Sequence, residues 1–319
     1  MSQSLLKAEH IKISFGNVHA LRDVSLEILP GEIHCLAGEN GCGKSTIIKI
    51  ISGVYQRDGG TIEFNGQKID KISPIDAINL GIQVIYQDFA LFPNLTVAEN
   101  LALNTELASR KKTVSWKNVR KIAEEAVSKI NFQVDLDEKV EKLTVAQKQM
   151  VAISRALMSN AKLIIMDEPT VAVDPQSRNK ILEGIVELNR NGATIIYTSH
   201  YMEEVEQICS RIAIMDKGKN LAIGTKDELK QMIKKSESIS IDILDLPDTA
   251  IDEIRALKHV YEVTYENHML TVLCSGGSHN LIHVLDYLQQ HEITFGKVYS
   301  ELPTLNDVFL EITGKELRD

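Results

Sequence analysis

Gly38-Glu39-Asn40-Gly41-Cys42-Gly43-Lys44-Ser45-Thr46 is the stretch around which the chain is organised. It satisfies the spacing G-x-x-x-x-G-K-[ST] and adds a further glycine at Gly41. Glycines let a backbone curl until several N–H groups converge on one anion. At this spacing Lys44 reaches the β- and γ-phosphates of a nucleotide, and Ser45 offers its hydroxyl to Mg²⁺. The flanks agree. Ile33-His34-Cys35-Leu36-Ala37, after the turn pair Pro30-Gly31, reads as a short buried strand. Behind the loop, Ile47, Ile50 and Ile51 recur at helical spacing until Gly53 closes the helix. Strand, glycine loop and helix set a phosphate against a helix N-terminus. The sequence therefore predicts a bound nucleoside triphosphate.

Two more strands point at the same chemistry. Leu163-Ile164-Ile165-Met166 is an apolar run, buried on both faces if it lies in a parallel sheet, and it leads straight into Asp167-Glu168. Ala193-Thr194-Ile195-Ile196-Tyr197-Thr198-Ser199-His200 repeats the plan and ends at a histidine. Ligands of open α/β sheets sit at the carboxyl ends of such strands, so the two carboxylates stand where Mg²⁺ chemistry belongs. Earlier, Ile11, Ile13 and Phe15, then Val24, Leu26 and Ile28, alternate as strand residues do. Residues 61–66 and 83–87 read as further strands. Residues 93 to about 160 read as mainly helical, and their basic stretch (110–112 and 117–121) as a solvated face. Strands alternating with helices predict a doubly wound α/β domain over roughly residues 1–230.

The chain has 319 residues, enough for two domains. Composition is that of a soluble globular protein, and no apolar run approaches the ~18 residues that span a bilayer. The start, Met1-Ser2-Gln3-Ser4, has no charged region followed by an apolar one, so no signal peptide is expected. A net charge of −9 speaks against a nucleic-acid partner. Cys35, Cys42, Cys209 and Cys274 form no C-x-x-C pair, which suits a reducing compartment and gives no zinc site. The expected location is cytoplasmic, with any membrane role exercised through a partner.

A polar, lysine-rich joint is expected at 230–238. Beyond it the chain reads strand (239–244), helix (250–257), strand (260–265), strand (270–274), helix (280–291) and strand (293–299), then a last amphipathic helix (305–312). That βαββαβ order is the ferredoxin-like pattern of a small α+β domain. Nothing in it looks catalytic, and a binding or dimerising module is the expectation.

With these motifs in order, residues 5–230 resemble an ATP-binding cassette (ABC) ATPase, the motor subunit of a membrane transporter. The resemblance implies an α/β P-loop NTPase cassette over 1–232, with a helical subdomain at about 90–160, followed by the ferredoxin-like domain at 238–319. It implies ATP and Mg²⁺ as ligands, and membrane-spanning permease subunits and a second cassette as partners. That puts the protein on the inner face of the cell membrane. By the same resemblance Phe15 stacks on adenine, and Gly38, Asn40, Gly41, Cys42, Gly43, Lys44, Ser45 and Thr46 hold the phosphates. Gln87 is the glutamine linking Mg²⁺ and attacking water to the permease. Asp167 holds Mg²⁺, Glu168 is the general base, Asp174 belongs to the loop beyond it, and His200 contacts the γ-phosphate.

One motif departs from the family. Its signature is usually Leu-Ser-Gly-Gly-Gln; here it is Leu143-Thr144-Val145-Ala146-Gln147. Through this motif Thr144, Val145, Ala146 and Gln147 are expected to reach the γ-phosphate held by the opposite subunit. Val145 puts a β-branched residue where a glycine is usual, which resists a backbone needing positive φ or close approach. A weakened or altered contact in trans is one reading, and a tolerated change the other. The relatives resembled also change along the chain. Residues 5–170 look like sugar-importer cassettes; residues 168–319, with Asp174-Pro175-Gln176-Ser177-Arg178 and Thr198-Ser199-His200-Tyr201-Met202-Glu203-Glu204, look like single-cassette exporter ATPases. One phosphate loop and one signature require a dimer. The reading leans to an export motor; a sugar-import motor and a nucleotide-gated regulatory protein with little turnover are the alternatives.

Overall fold

A computed structural model describes residues 3–86, 90–108, 115–130, 132–158, 161–277 and 279–314, with the backbone alone at 104–108. The chain divides into two compact units, Met1–Ile223 and Gly224–Asp319.

The first unit opens with an antiparallel hairpin, β1 (Leu6–Phe15) and β2 (Val18–Ile28). It continues through β3 (Ile33–Ala37), α1 (Lys44–Ile51), β4 (Gly59–Phe64), β5 (Gln67–Ile69), α2 (Pro74–Leu80) and β6 (Ile82–Ile85). A helical section comes next: α3 (Val97–Ala108), α4 (Trp116–Ser128), a 3₁₀ turn at Val140–Lys142 and α5 (Val145–Leu157). The chain then returns to the sheet with β7 (Leu163–Asp167), α6 (Pro175–Arg190), β8 (Thr194–Ser199), α7 (Met202–Ile208), β9 (Arg211–Asp216) and β10 (Lys219–Gly224).

Among the described residues these strands form one sheet in the order β5-β4-β1-β2-β10-β9-β3-β8-β7-β6. Its two ends differ in kind. β1, β2, β4 and β5 pair antiparallel, while β9, β3, β8, β7 and β6 pair parallel. Every residue of β3, β7 and β8 is buried, as their unbroken apolar runs require of central parallel strands. The main core packs Ile11, Ile13 and Leu26 of the hairpin against Ile47 and Ile51 of α1 and Ile165 and Ile196 of the central strands. The helical section has its own core around Val97, Leu101, Ile122, Ala126 and Val151. None of the described helices is long and apolar enough to cross a membrane.

The second unit contains α8 (Lys226–Gln231), β11 (Glu237–Asp242), α9 (Asp248–Arg255), β12 (Val260–Glu266), β13 (Met269–Cys274), α10 (Asn280–Gln290), β14 (Val298–Glu301) and α11 (Leu305–Thr313). The sheet order is β12-β13-β11-β14, with each neighbouring pair antiparallel, the arrangement a split βαβ unit produces. Ile239 and Ile241 of β11 and Val272 of β13 meet Ile254 of α9 and Val284 and Leu288 of α10 in one core.

Two expectations need correction. The last strand does not begin at 293: Ile293 N–H still closes the end of α10 on Leu288 O (2.9 Å), and ladder pairing starts at Val298. The lysine-rich segment at 230–238 is also no free joint. Lys234 N–H donates to the Glu311 carboxylate (2.9 Å), Lys235 pairs with Asp307 (2.7 Å), and Glu237 already lies in β11.

Candidate functional site

Three neighbouring strands, β3, β8 and β7, end side by side, with Ala37 opposite Ser199 and Asp167 opposite Thr198. The residues next in the chain define the site: the glycine loop after Ala37, Glu168 after Asp167, and His200 after Ser199. Groups far apart in sequence thus converge at one sheet edge.

The loop is shaped for an anion. A Cβ on Gly38 would stand 2.4 Å from Met215 O and 2.7 Å from Cys42 Sγ, so only glycine fits under that turn. Gly43, at φ +116°, is the N-cap of α1 and offers no side-chain cap, which leaves the first N–H groups of the helix for an outside acceptor. Lys44 is 4% exposed. Its ammonium donates to Gly38 O (2.7 Å) and Glu39 O (3.2 Å) and pairs with Glu168 (3.3 Å). A buried cation beside a helix start without a side-chain cap fits a polyphosphate. Cys42 is buried beneath the loop, and burial pushes its thiol above the usual range against the pull of the Lys44 charge.

The carboxylates are fixed by a hydroxyl the sequence reading did not single out. Thr198 Oγ1 donates to Asp167 Oδ1 (2.9 Å) and accepts from Glu168 N–H (2.9 Å), so one side chain of β8 sets both acids. Ser45 Oγ donates to the same Asp167 oxygen at 3.3 Å. A hydroxyl and a carboxylate together are the hard oxygen pair Mg²⁺ takes when substrate phosphates and waters complete its shell. Glu168 sits at φ +49°, strained for a side chain of its size, and this turns its carboxylate toward Lys44 and His200. His200 Nδ1 lies 3.5 Å from Glu168 and is a buried nitrogen with no hydrogen-bond partner. An orphaned imidazole nitrogen beside the loop suits an incoming phosphate oxygen.

The remaining predicted residues lie around this centre. Phe15 ends β1 and is 46% exposed, its ring edge-on to Tyr55 at 5.1 Å, so a face remains available for stacking. Asn40 and Gly41 are at the loop tip, and Thr46 lies in α1. Asp174 caps α6, accepting from Ser177 N–H (3.0 Å), and bonds to Ser177 hold its carboxyl below the usual range. Gln87 lies outside the described residues. In the signature, Thr144 is the N-cap of α5: its hydroxyl accepts from Gln147 N–H (3.2 Å), and Gln147 Oε1 accepts from Thr144 N–H (3.0 Å). This reciprocal box closes the helix end while leaving Val145 41% exposed. Val145 is the first residue of α5 and is absent from the positive-φ positions, so the backbone strain expected of a β-branched residue there does not arise. Its side-chain bulk remains. Sequence reading also missed the buried Glu204 of α7; the signal available was an acid on the face of that helix shared by Val205 and Ile208.

Loop, acids and imidazole at the carboxyl edge of this sheet define a P-loop nucleotide hydrolase of the cassette type. Family profiles described as "ABC transporter" and "ATP-binding protein DrrA1-3-like, C-terminal domain" match residues 21–171 and 224–313. The linearmycin resistance ATP-binding protein LnrL of Bacillus subtilis is 36% identical over 317 residues, 99% of this chain and 100% of LnrL. The ribose import ATP-binding protein RbsA of B. subtilis is 39% identical over 216 residues, covering 68% of this chain but 44% of RbsA. A solved dimeric ABC cassette in a post-hydrolysis state, bound to ADP and Pi, is 27% identical with TM-score 0.61, over 69% of this chain and 98% of that one. The chain belongs to the ATP-binding subunits of ABC transporters, with a DrrA-like C-terminal domain. These are ATP-hydrolysing transport ATPases, whose cassettes dimerise and pair with membrane permeases.

Proposed function

We propose that this chain is the motor subunit of an exporter. The observation that carries the direction is the colinearity with LnrL over its full length, including the unit from Gly224 onward, whereas the match to RbsA covers less than half of that protein. A resistance protein as relative favours an antibiotic as the class of cargo. Sugar import is the second reading, favoured by the higher identity to RbsA across the cassette.

In the proposed reaction the N–H groups at the start of α1 and the Lys44 ammonium hold the triphosphate. Ser45 and Asp167 would hold Mg²⁺, which would supply charge neutralisation for the phosphates. Glu168 orients the attacking water and accepts its proton; the His200 imidazole, next to Glu168, engages the γ-phosphate. The N-terminus of α5, from Thr144 to Gln147, faces the nucleotide of a second cassette. Phe15 carries adenine, and Asp174 lies in the loop between the two sites. The closed dimer then works on permease subunits at the inner face of the membrane. Co-purification tests the direction: an export permease should be recovered with the tagged chain, and a sugar-type permease with its binding protein would contradict the reading.

A further inference from the structure

We propose that Glu204 is a positioning residue for ATP hydrolysis: it fastens the segment carrying Glu168 to the segment carrying His200, so that the two halves of the site hold one geometry. This rests on the hydrolytic roles proposed above for those two residues.

Glu204 is 2% exposed. Its Oε2 accepts from the hydroxyls of Tyr197 (2.5 Å), Thr170 (2.7 Å) and Ser199 (3.2 Å). These donors are not scattered. Thr170 lies two residues beyond Glu168, and Ser199 immediately precedes His200. The hold extends past the histidine as well, because Tyr201 N–H donates to Ser199 Oγ at 3.0 Å. His200 is thus clamped on both sides by a chain of bonds that ends on one carboxylate. Burial and the Glu204 charge push the Tyr197 hydroxyl well above its usual range, so it remains a donor.

The other oxygen faces α6. Arg178 Nε approaches Oε1 to 3.2 Å, an ion-pair distance whose angles fall short of a hydrogen bond. The Arg178 guanidinium also lies over the Tyr201 ring (4.6 Å), and that ring tilts against His200 with centroids 4.1 Å apart. Arg178 N–H bonds Asp174 O in the first turn of α6, so the loop beyond Glu168 is joined at its far end too. A buried carboxylate is costly to desolvate, and three hydroxyls with one cation are the set that offsets it. Placing them between these two segments makes sense if their relative position matters.

Glu204→Gln is the selective test. An amide oxygen can still accept from the hydroxyls, but its NH₂ meets the Arg178 donors with the wrong sign. In the full chain, kcat for ATP should fall about tenfold or more while KM stays within about twofold, the mark of lost transition-state stabilisation. Arg178→Ala should give a similar loss, and the double variant no more than either alone. Amide exchange should quicken at both 168–174 and 199–205 and stay unchanged in β3. Glu203→Gln, at an exposed position one residue away, should change nothing. Should Glu204→Gln fail to fold, Tyr197→Phe removes one donor and is read the same way. Turnover kept within about twofold, additive losses, or exchange quickened in one segment alone would overturn the proposal. If the wild type hydrolyses nothing, the hydrolytic reading fails separately, and exchange in the two segments still decides whether Glu204 joins them.

Discussion

Lys44 and Glu168 form an ion pair at 3.3 Å in which neither side chain is more than 13% exposed. The cation assigned to phosphate and the carboxylate assigned to water therefore hold each other in the same small volume. A triphosphate that recruits Lys44 competes with Glu168 for it. Glu168→Gln removes that competitor's charge. We expect ATP to bind the variant at least as tightly as the wild type, read by equilibrium titration. A parallel loss of affinity would mean that Glu168 belongs to the binding surface itself.

Gly43 tests the shape of the loop. At φ +116°, with Leu21 Cδ2 2.6 Å and Ala20 O 3.2 Å from where a Cβ would stand, Gly43→Ala must strain the loop backbone and push the Leu21 side chain aside. Strain of this kind costs about 1–3 kcal/mol. Nucleotide affinity should fall with it, because the residue also begins α1. A variant of wild-type stability and affinity would show that the loop is not held as described.

Cys42 gives a pH-dependent prediction. Its thiol is buried and pushed up, so at neutral pH little of it is thiolate, the reactive form. Alkylation should be slow near pH 7 and accelerate through and above the usual thiol pKa of about 8.5. Peptide mass mapping separates this site from Cys35, Cys209 and Cys274, which are also buried. Modification should abolish ATP binding, and MgATP should protect. Fast reaction at pH 7 that leaves ATP affinity intact would contradict this placement.

In the second unit, Asp307 completes the capping box of α11, whose N-cap is Thr304, by accepting from Thr304 N–H (2.8 Å), and it pairs with Lys235 (2.7 Å). Burial raises its pKa, but the Lys235 and Thr304 bonds outweigh it and the net shift is downward. A depressed folded value means a stabilisation fully present above the unfolded pKa of about 3.9 and lost as pH falls through the folded value. Asp307→Ala should cost about 1 kcal/mol at neutral pH. Wild type and variant should converge in strongly acidic solution. Protection of α11 amides against exchange measures both, and a difference that grows on acidification would reverse the sign of the argument.

Legibility in the sequence tracked distance along the chain. The phosphate loop could be read because strand, glycines and helix are contiguous from Ile33 to Ile51. Asp167, Glu168 and His200 could be read because each ends an apolar run too even for anything but a central parallel strand. Thr198 could not, since its double role depends on β7 and β8 lying in register with Asp167 opposite it. Glu204 could not for a related reason: its partners come from a loop, a strand and α6, and only packing brings them together. At Val145 the family pattern misled, because a usual glycine suggested a special backbone where the chain simply starts a helix. The late start of β14 reflects an edge strand, whose short ladder leaves a weaker pattern than a central one.

ATP hydrolysis with Glu168 as base, in a site completed by a second subunit, is the claim on which the rest depends. Steady-state ATPase of the purified chain, beside Glu168→Gln, tests it with and without membrane partners. Turnover is expected in the wild type, steeper than linear in protein concentration as dimers form, with a loss of roughly 10²–10⁴-fold in the variant. A wild type no more active than Glu168→Gln under every condition would contradict it and leave a nucleotide-gated binding protein in its place.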